Sequence, residues 1–398
     1  MELRFTPAEQ AFREEVRTFV RSSLPADIRE KVDSHQRLGK DDYVRWHRIL
    51  QAHGWGAPNW SAEYGGTGWN ALQRLIFEIE SFNAGAPRLM PTGLTMIGPV
   101  LMKYGSPAQK AHFLPRIPTM DDFWCQGYSE PGAGSDLASL KTRAVRKGDK
   151  YIVNGQKTWT SYAQYADWIF CLVRTDGEAK PQDGISMLLI DMKSPGVTVR
   201  PIVTLDGARD VNETRFEDVE VPVANLVGEE NRGWTYAKYL LGHERTAIAG
   251  IGHCHREMRL LKHYASQVTD GRGRPMLDDV RMRDKIARLE IDLMAMEMLL
   301  LRVATQEGSR GPGPEASILK IRGSELQQDI AMLQMEMAGP HAWPYSADWR
   351  DAGAAQPVSG PDWASPAAAT YFDMRKTSIY GGANEVQKNI IAKMIIGF

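Results

Sequence analysis

The chain has 398 residues, of which 43% are hydrophobic and 24% charged, the balance of a folded globular protein with material for two or three domains. Disordered and fibrous classes are excluded. Lys and Arg (48) nearly match Asp and Glu (49), so no global basic field exists to hold nucleic acid or an anionic membrane.

Helical periodicity opens the chain. Thr6-Pro7-Ala8-Glu9 reads as cap, first-turn proline and acid, and Phe5, Phe12, Val16, Phe19 and Val20 follow at helical spacing. A glycine- and tryptophan-rich loop runs from Gly54 to Gly68, and helices resume in ALQRLIFEIE and from Met96 to Tyr104. Near Phe123 the period changes. YIVNGQKTW carries an Asn-Gly pair between strand-like runs, a hairpin signal. WIFCLVRT, GISMLLIDM, GVTVRPIVTL and TRFEDVEVPV follow without intervening helices, which predicts antiparallel pairing in a barrel or sandwich. From about Gly233 helical periodicity returns to the end, broken by a Pro-, Gly-, Ala- and Trp-rich stretch from Gly339 to Ala369. The expected division is 1–122 (helical), 123–232 (β-barrel) and 233–398 (helical bundle with an insertion near 339–369).

Other features carry less. The three cysteines, Cys125, Cys171 and Cys254, are too scattered for a disulfide framework and fit a reducing, cytoplasmic setting. No secretory leader is read at the start, and IDLMAMEMLLLRVA is too short and too charged to span a bilayer. Its methionines, Met294 to Met298, read as bundle core. His253 and His255 lie two apart on a helix, on nearly opposite sides, and share no metal.

Three segments carry chemistry: Ser129-Glu130-Pro131-Gly132-Ala133-Gly134-Ser135-Asp136, Asn154-Gly155-Gln156-Lys157-Thr158-Trp159-Thr160-Ser161, and Ile379-Tyr380-Gly381-Gly382-Ala383-Asn384-Glu385-Val386-Gln387. The glycine-rich loop lacks GxGxxG spacing and a parallel crossover, so a Rossmann reading fails; alone it is a plain turn or a loop whose N–H groups approach a flavin or phosphate. Together, in this order, the three segments resemble the acyl-CoA dehydrogenase family over essentially the whole chain. The resemblance implies an N-terminal all-α domain, a middle antiparallel β-barrel and a C-terminal four-helix bundle. It is closest to large subunits of bacterial heteromeric members, the pimeloyl-CoA dehydrogenase large subunit and steroid side-chain enzymes among them, on Tyr128, His243-Glu244-Arg245 and the closing GGANEVQKNIIAK.

By that resemblance the cofactor is FAD. Tyr128 and Ser129 line the flavin pyrimidine edge, Ser135 lies toward the CoA arm, Trp159 stacks on the ring and Ser161 sits near N5, while Gly382, Asn384 and Arg272 or Arg274 serve the rest of the cofactor. Many members carry their catalytic glutamate directly after the tyrosine of the C-terminal motif; here that position is Gly381. Isovaleryl- and long-chain members carry it on the first long helix after the β domain, where this chain has Glu244 before Arg245. The implied base is therefore Glu244, with Arg245 at the substrate, the Gly381 N–H polarising the thioester carbonyl, and hydride passing from the β-carbon to flavin N5. Arg88 is a candidate clamp for a distal substrate carboxylate, which suits a medium-chain or dicarboxylyl acyl-CoA; an exposed loop arginine is the alternative.

Homomeric members complete FAD binding from a neighbouring subunit through an Arg-x-x-Phe segment and a Gly-Gly-x-Gly turn. Here those places read GRGRPMLDD and MEMAGPHAW, which predicts an α2β2 assembly with a smaller paralogous subunit, against a homotetramer or homodimer whose contacts have drifted. Electron transfer flavoprotein is the implied electron acceptor. A non-catalytic scaffold subunit and an oxygen-using flavoenzyme on the same fold stay open.

Overall fold

A computed structural model describes residues 5–306, 313–344 and 360–397, without the side chains of 242–248 and 304–306. Residues 345–359 of the 339–369 stretch therefore lie outside the described residues; its flanks form short turns of helix at Gly339–Ala342 and Asp362–Ala364, the latter running into a longer helix at Ser365. Packing divides the chain into two compact units. One comprises Met1–Asp42, Trp69–Arg88 and Arg245–Phe398, the other Tyr43–Gly68 and Leu89–Glu244.

The first unit is helical. It holds α1 (Pro7–Ser23), α2 (Ala26–Asp33) and the start of α3 (Lys40–Ala52), then α4 (Ala71–Asn83). Thr6 is the cap that the sequence predicts, accepting from the Glu9 N–H, and Glu9 closes it reciprocally by accepting from the Thr6 N–H. Arg13 and Arg17 of α1 both grip Glu80 of α4, at 2.5 and 3.0 Å.

The second unit adds α5 (Gly98–Tyr104) and α6 (Pro107–Phe113), followed by the strands β1 (Trp124–Gly127), β2 (Arg143–Lys147), β3 (Lys150–Ser161), β4 (Trp168–Arg174), β5 (Ile185–Asp191), β6 (Val197–Ile202) and β7 (Val211–Pro222). They form one sheet in the order β1-β4-β2-β3-β7-β6, with β5 on β4. Pairing is antiparallel except at β4, which runs parallel to β1 and touches β2 in parallel at one residue pair, so the expectation of a wholly antiparallel sheet is corrected there. One core lies between helices and sheet, around Ile97, Leu101, Trp124, Phe170 and Leu189; a second, of Tyr151, Ile169, Val219 and Val221, fills the other side.

The predicted Asn-Gly hairpin is also corrected. Asn154 and Gly155 lie inside β3, while the tight turn that joins β2 to β3 is Gly148-Asp149, with Gly148 at φ +64°. Gly155 instead marks an irregularity in register with β7. Its φ is +150°, and a Cβ there would lie 2.6 Å from the Thr142 Cα. The alternation of apolar residues cannot distinguish a turn glycine from a bulge glycine.

The chain then enters α7 (Gly233–Ile248), whose residues to Glu244 belong to the second unit. The first unit resumes with α8 (Ile251–Gln267), α9 (Val280–Gln306), α10 (Pro314–Ala338), α11 (Ser365–Met374) and α12 (Asn384–Ile395). Helix α10 is the spine, packing on α8, α9, α11 and α12. The methionine run of α9 is core only in part: Met296 is buried, but Met294 is 62% exposed and forms with Ile291 and Met298 an exposed stripe at helical spacing.

Candidate functional site

The two glycine-bearing motifs of the β region are fastened to each other by a buried ion pair. Lys157 of β3 is fully buried, and its Nζ donates to Glu130 Oε1 at 2.8 Å and to the Tyr128 carbonyl at 3.1 Å. Glu130 also accepts from the Lys141 N–H (2.6 Å) and the Thr142 N–H (2.8 Å), and the Thr158 N–H donates to the Ser129 carbonyl (2.9 Å). Within the loop, Glu130 and Ala133 exchange both backbone hydrogen bonds. Burial pushes the Glu130 carboxyl up, but the Lys157 charge and these donors outweigh it and hold the carboxyl below its ordinary value. The loop from Ser129 to Asp136 is thus tied at its first two residues to the strand that carries Trp159.

Directly beyond Lys157 the β3–β7 register slips by one residue. Trp159 sits in that bulge at φ +59°, and the residue is 59% exposed. A bulky residue with left-handed backbone is strained, and an uncovered indole leaves a large apolar face in water, a combination that points to a ligand. Ser161, Ser135, Gly132 and Gly134 are exposed nearby in sequence, and Ser129 is half-buried. A Cβ at Gly132 or Gly134 would meet nothing within 4 Å, so neither glycine is demanded by the chain's own packing. The Tyr128 side chain lies in the core, edge-on to Phe170, and its carbonyl accepts from Lys157 of β3.

Sequence reasoning missed Gln126, at the penultimate position of β1. Its Nε2 is buried, with no hydrogen-bond partner among the described residues. A buried amide donor three residues before Ser129, the exposed indole of Trp159 and the open peptides at Gly132 and Gly134 together fit a planar heteroaromatic group with ring acceptors and a phosphate tail, the demands of a flavin nucleotide.

In the other unit the C-terminal motif forms a turn of two left-handed glycines, Gly381 at φ +63° and Gly382 at φ +86°. Asn384 opens α12 almost wholly buried, its Oδ1 accepting from Lys320 Nζ (2.9 Å) and Ser324 Oγ (3.2 Å), so that side chain is directed into the bundle. Arg274 is exposed and held by Asp270 at 2.9 Å, and Arg272 is exposed in the same turn. Arg88 is exposed, and its charge acts on Glu78 and His253.

Glu244 and Arg245 lie on α7, with side chains outside the described residues. The backbone just beyond them is described. The helix stops before Gly250, a left-handed residue at φ +63°. The Gly252 N–H donates to Glu78 Oε1 at 3.1 Å, and a Cβ at Gly323 of α10 would fall 2.6 Å from the Ala249 Cα. The small residues after Glu244 thus serve a helix break and close packing on α10. His253 meets Phe82 edge-on, and His255 contacts Glu297, so the two imidazoles are engaged in different directions. Among the described residues no cluster of metal-ligating side chains is found, and no helix is long and apolar enough to cross a membrane.

A helical N-terminal part, a curled sheet presenting an aromatic platform, and a C-terminal helical part with a double-glycine turn define a flavin-dependent oxidoreductase architecture. The chain belongs to the acyl-CoA dehydrogenase family: residues 6–121, 125–219 and 231–396 match its N-terminal, middle and C-terminal domains, and the family's cofactor is FAD. It is 37% identical to acyl-CoA dehydrogenase FadE26 of Mycobacterium tuberculosis over 100% of this chain and 98% of that protein. It is 34% identical to acyl-CoA dehydrogenase IpdE1 of the same organism, over 88% of this chain and 87% of that one. Among solved structures, it resembles the ChsE4-ChsE5 complex from M. tuberculosis (TM-score 0.85, 34% identity, 100% and 99% coverage) and the Tcur3481-Tcur3483 steroid ACAD (TM-score 0.85, 32% identity, 100% and 99% coverage).

Proposed function

We propose that this chain desaturates a CoA thioester at its α,β bond, with Glu244 as the base that takes the α-proton and the Gly381 N–H as a donor to the thioester carbonyl. The observation that carries the reading is the double-glycine turn: Gly381, left-handed and without a side chain, stands where many relatives place their carboxylate, while α7 carries an acid at position 244. A backbone N–H needs no side chain to polarise a carbonyl, so the base and the oxyanion donor can come from different elements. FAD, when bound, supplies the acceptor for the hydride that leaves the β-carbon.

On this reading Trp159 covers one face of the flavin, Gln126 and the Ser129 region meet its pyrimidine edge, and Ser135 lies toward the CoA arm. The finer fold description, a closed barrel and a four-helix bundle, belongs to the same reading. For the substrate we favour the CoA thioester of a steroid-derived acid, because the solved relative Tcur3481-Tcur3483, at 32% identity, is a steroid ACAD. A dicarboxylyl-CoA paired to Arg88 is the second reading; the exposure of Arg88 leaves it accessible but equally fits the loop arginine that is the alternative. An α2β2 assembly with a paralogous subunit is supported by the two-component complexes of two solved relatives, ChsE4-ChsE5 and Tcur3481-Tcur3483, and by the exposed Ile291, Met294 and Met298 stripe of α9. Electron transfer flavoprotein is the proposed acceptor.

The test is anaerobic titration of the flavoprotein with octanoyl-CoA, pimeloyl-CoA and a steroid side-chain acyl-CoA. Bleaching that persists when air returns supports a dehydrogenase; rapid recovery in air identifies an oxidase, and no bleaching with any thioester identifies a scaffold subunit. If Arg88→Ala weakens pimeloyl-CoA no more than octanoyl-CoA, the clamp is removed.

A further inference from the structure

Glycine is the residue least able to hold its own backbone, and here two stand in a row at the position that must present an oxyanion donor. Side chains of the bundle hold that turn from beneath. Gln387, one turn into α12 and 1% exposed, donates from Nε2 to the Gly381 carbonyl at 3.2 Å and lies 3.5 Å from the Gly382 carbonyl. Its Oε1 accepts from Ser317 Oγ of α10 at 2.8 Å, and because the turn carbonyls can only accept, the Nε2 end is the one that faces them. A Cβ at Gly382 would lie 2.3 Å from Gln387 Nε2, so glycine is required there for the amide to reach the backbone at all. On either side, Thr377 donates to the Ser324 carbonyl at 3.3 Å, and Lys320 and Ser324 hold Asn384. Thr377, Ser317, Lys320 and Ser324 are all fully buried.

We propose that Gln387 is a positioning residue for the reaction: held by Ser317, it clamps the Gly381 carbonyl and so restrains the ψ torsion of Gly381, one of the two torsions that set where the Gly381 N–H points. The inference rests on the reading that this N–H polarises the thioester. A carboxylate at 381 would bring a Cβ and its own rotamer restraint; a glycine brings neither, and the buried amide replaces them. Gln387 is 1% exposed and so offers no surface for a ligand to contact, and its loss should act on the transition state more than on binding. Removing an oxyanion donor outright lowers kcat by about 100- to 1000-fold, and a donor left in place but free to swing should lose part of that.

The experiment uses the flavoprotein, co-expressed with its paralogous partner where one is required, and whichever of the three CoA thioesters bleaches it. Gln387→Leu should keep bound FAD and lower kcat about 10- to 100-fold with KM changed less than about threefold, and solvent deuterium exchange at the substrate α-carbon should slow in parallel. Ser317→Ala, which leaves the amide in place, should give a smaller loss of the same kind and serves if the leucine variant does not fold. Gln387→Glu supplies the decisive profile. Protonated, it can donate to the Gly381 carbonyl and accept from Ser317; ionised, it cannot donate. Its kcat relative to the wild type should therefore rise as pH falls from 8 to 6, whereas a purely structural role would leave that ratio flat. Full kcat in Gln387→Leu, or a flat ratio in Gln387→Glu, overturns the proposal. Failure of the underlying reading shows separately, as a wild type that never bleaches or a Glu244→Gln variant that bleaches at the wild-type rate.

Discussion

Replacing Lys157 by methionine keeps the length of the side chain and removes its charge. The ammonium is fully buried, and its partner Glu130 is only 8% exposed, so the carboxylate left behind cannot be rescued by water. Breaking a buried pair on one side costs about 3–5 kcal/mol. Glu130 would keep the Lys141 and Thr142 N–H donors, which places the expected loss near the lower bound, about 3 kcal/mol. In a unit of this size each kcal/mol shifts the melting temperature by about 2–4 °C, so the apoprotein should melt about 6–12 °C lower. The pH dependence has a definite sign. In the wild type the Glu130 carboxyl is held below its ordinary value, so its contribution is present above about pH 4.3 and is lost as pH falls through the folded value. In the variant, burial acts without the ammonium, and the penalty appears only where Glu130 is ionised. The gap between variant and wild type should therefore be wider at pH 8 than at pH 5, and Glu130→Gln in the methionine background should recover part of it. Melts followed by circular dichroism at the two pH values are the assay. A Lys157→Met protein that melts with the wild type at both pH values would refute the claim that this pair fastens the loop.

Trp159→Gly should relieve the left-handed strain in β3, so the apoprotein should melt no lower than wild type while flavin affinity, read by fluorescence of released flavin, falls at least tenfold. Glu257 is buried: burial pushes its carboxyl up, and Arg256, His35, His253 and Gln334 more than offset this, leaving it at about 2. Its stabilisation is complete above about pH 4.3 and disappears as pH falls toward 2, so Glu257→Gln should destabilise the protein at pH 7 and flatten its acid-unfolding curve between pH 5 and 2. Gly382→Ala should displace the Gln387 amide and reproduce the kcat loss expected of Gln387→Leu, with added backbone strain.

Local signals were legible where a short stretch of chain decides the outcome. The Thr6–Glu9 cap, the change of period near Phe123 and the return of helix at Gly233 all follow from propensity and spacing. Where a partner lies far along the chain, the sequence is silent. Lys157 meets Glu130 at a separation of 27 residues, and Ser317 meets Gln387 at 70. Nothing in either segment alone announces its partner, although a lysine inside the apolar run SILKIRG is a signal that something buried must receive it. The Asn-Gly pair misleads for a physical reason: a glycine at positive φ serves a bulge as well as a turn, and Gly148-Asp149, seven residues earlier, takes the turn. The methionines of α9 mislead because one helical face can be apolar without being covered within its own chain.

Proton abstraction in the proposed reaction depends on the acid at position 244. Mixed anaerobically with the acyl-CoA that bleaches the wild type, the Glu244→Gln flavoprotein should retain its flavin and its affinity for the thioester, yet show loss of the oxidised flavin band at least 10³-fold more slowly in a stopped-flow trace. Bleaching at the wild-type rate by the glutamine variant would assign proton abstraction to another group and contradict the account.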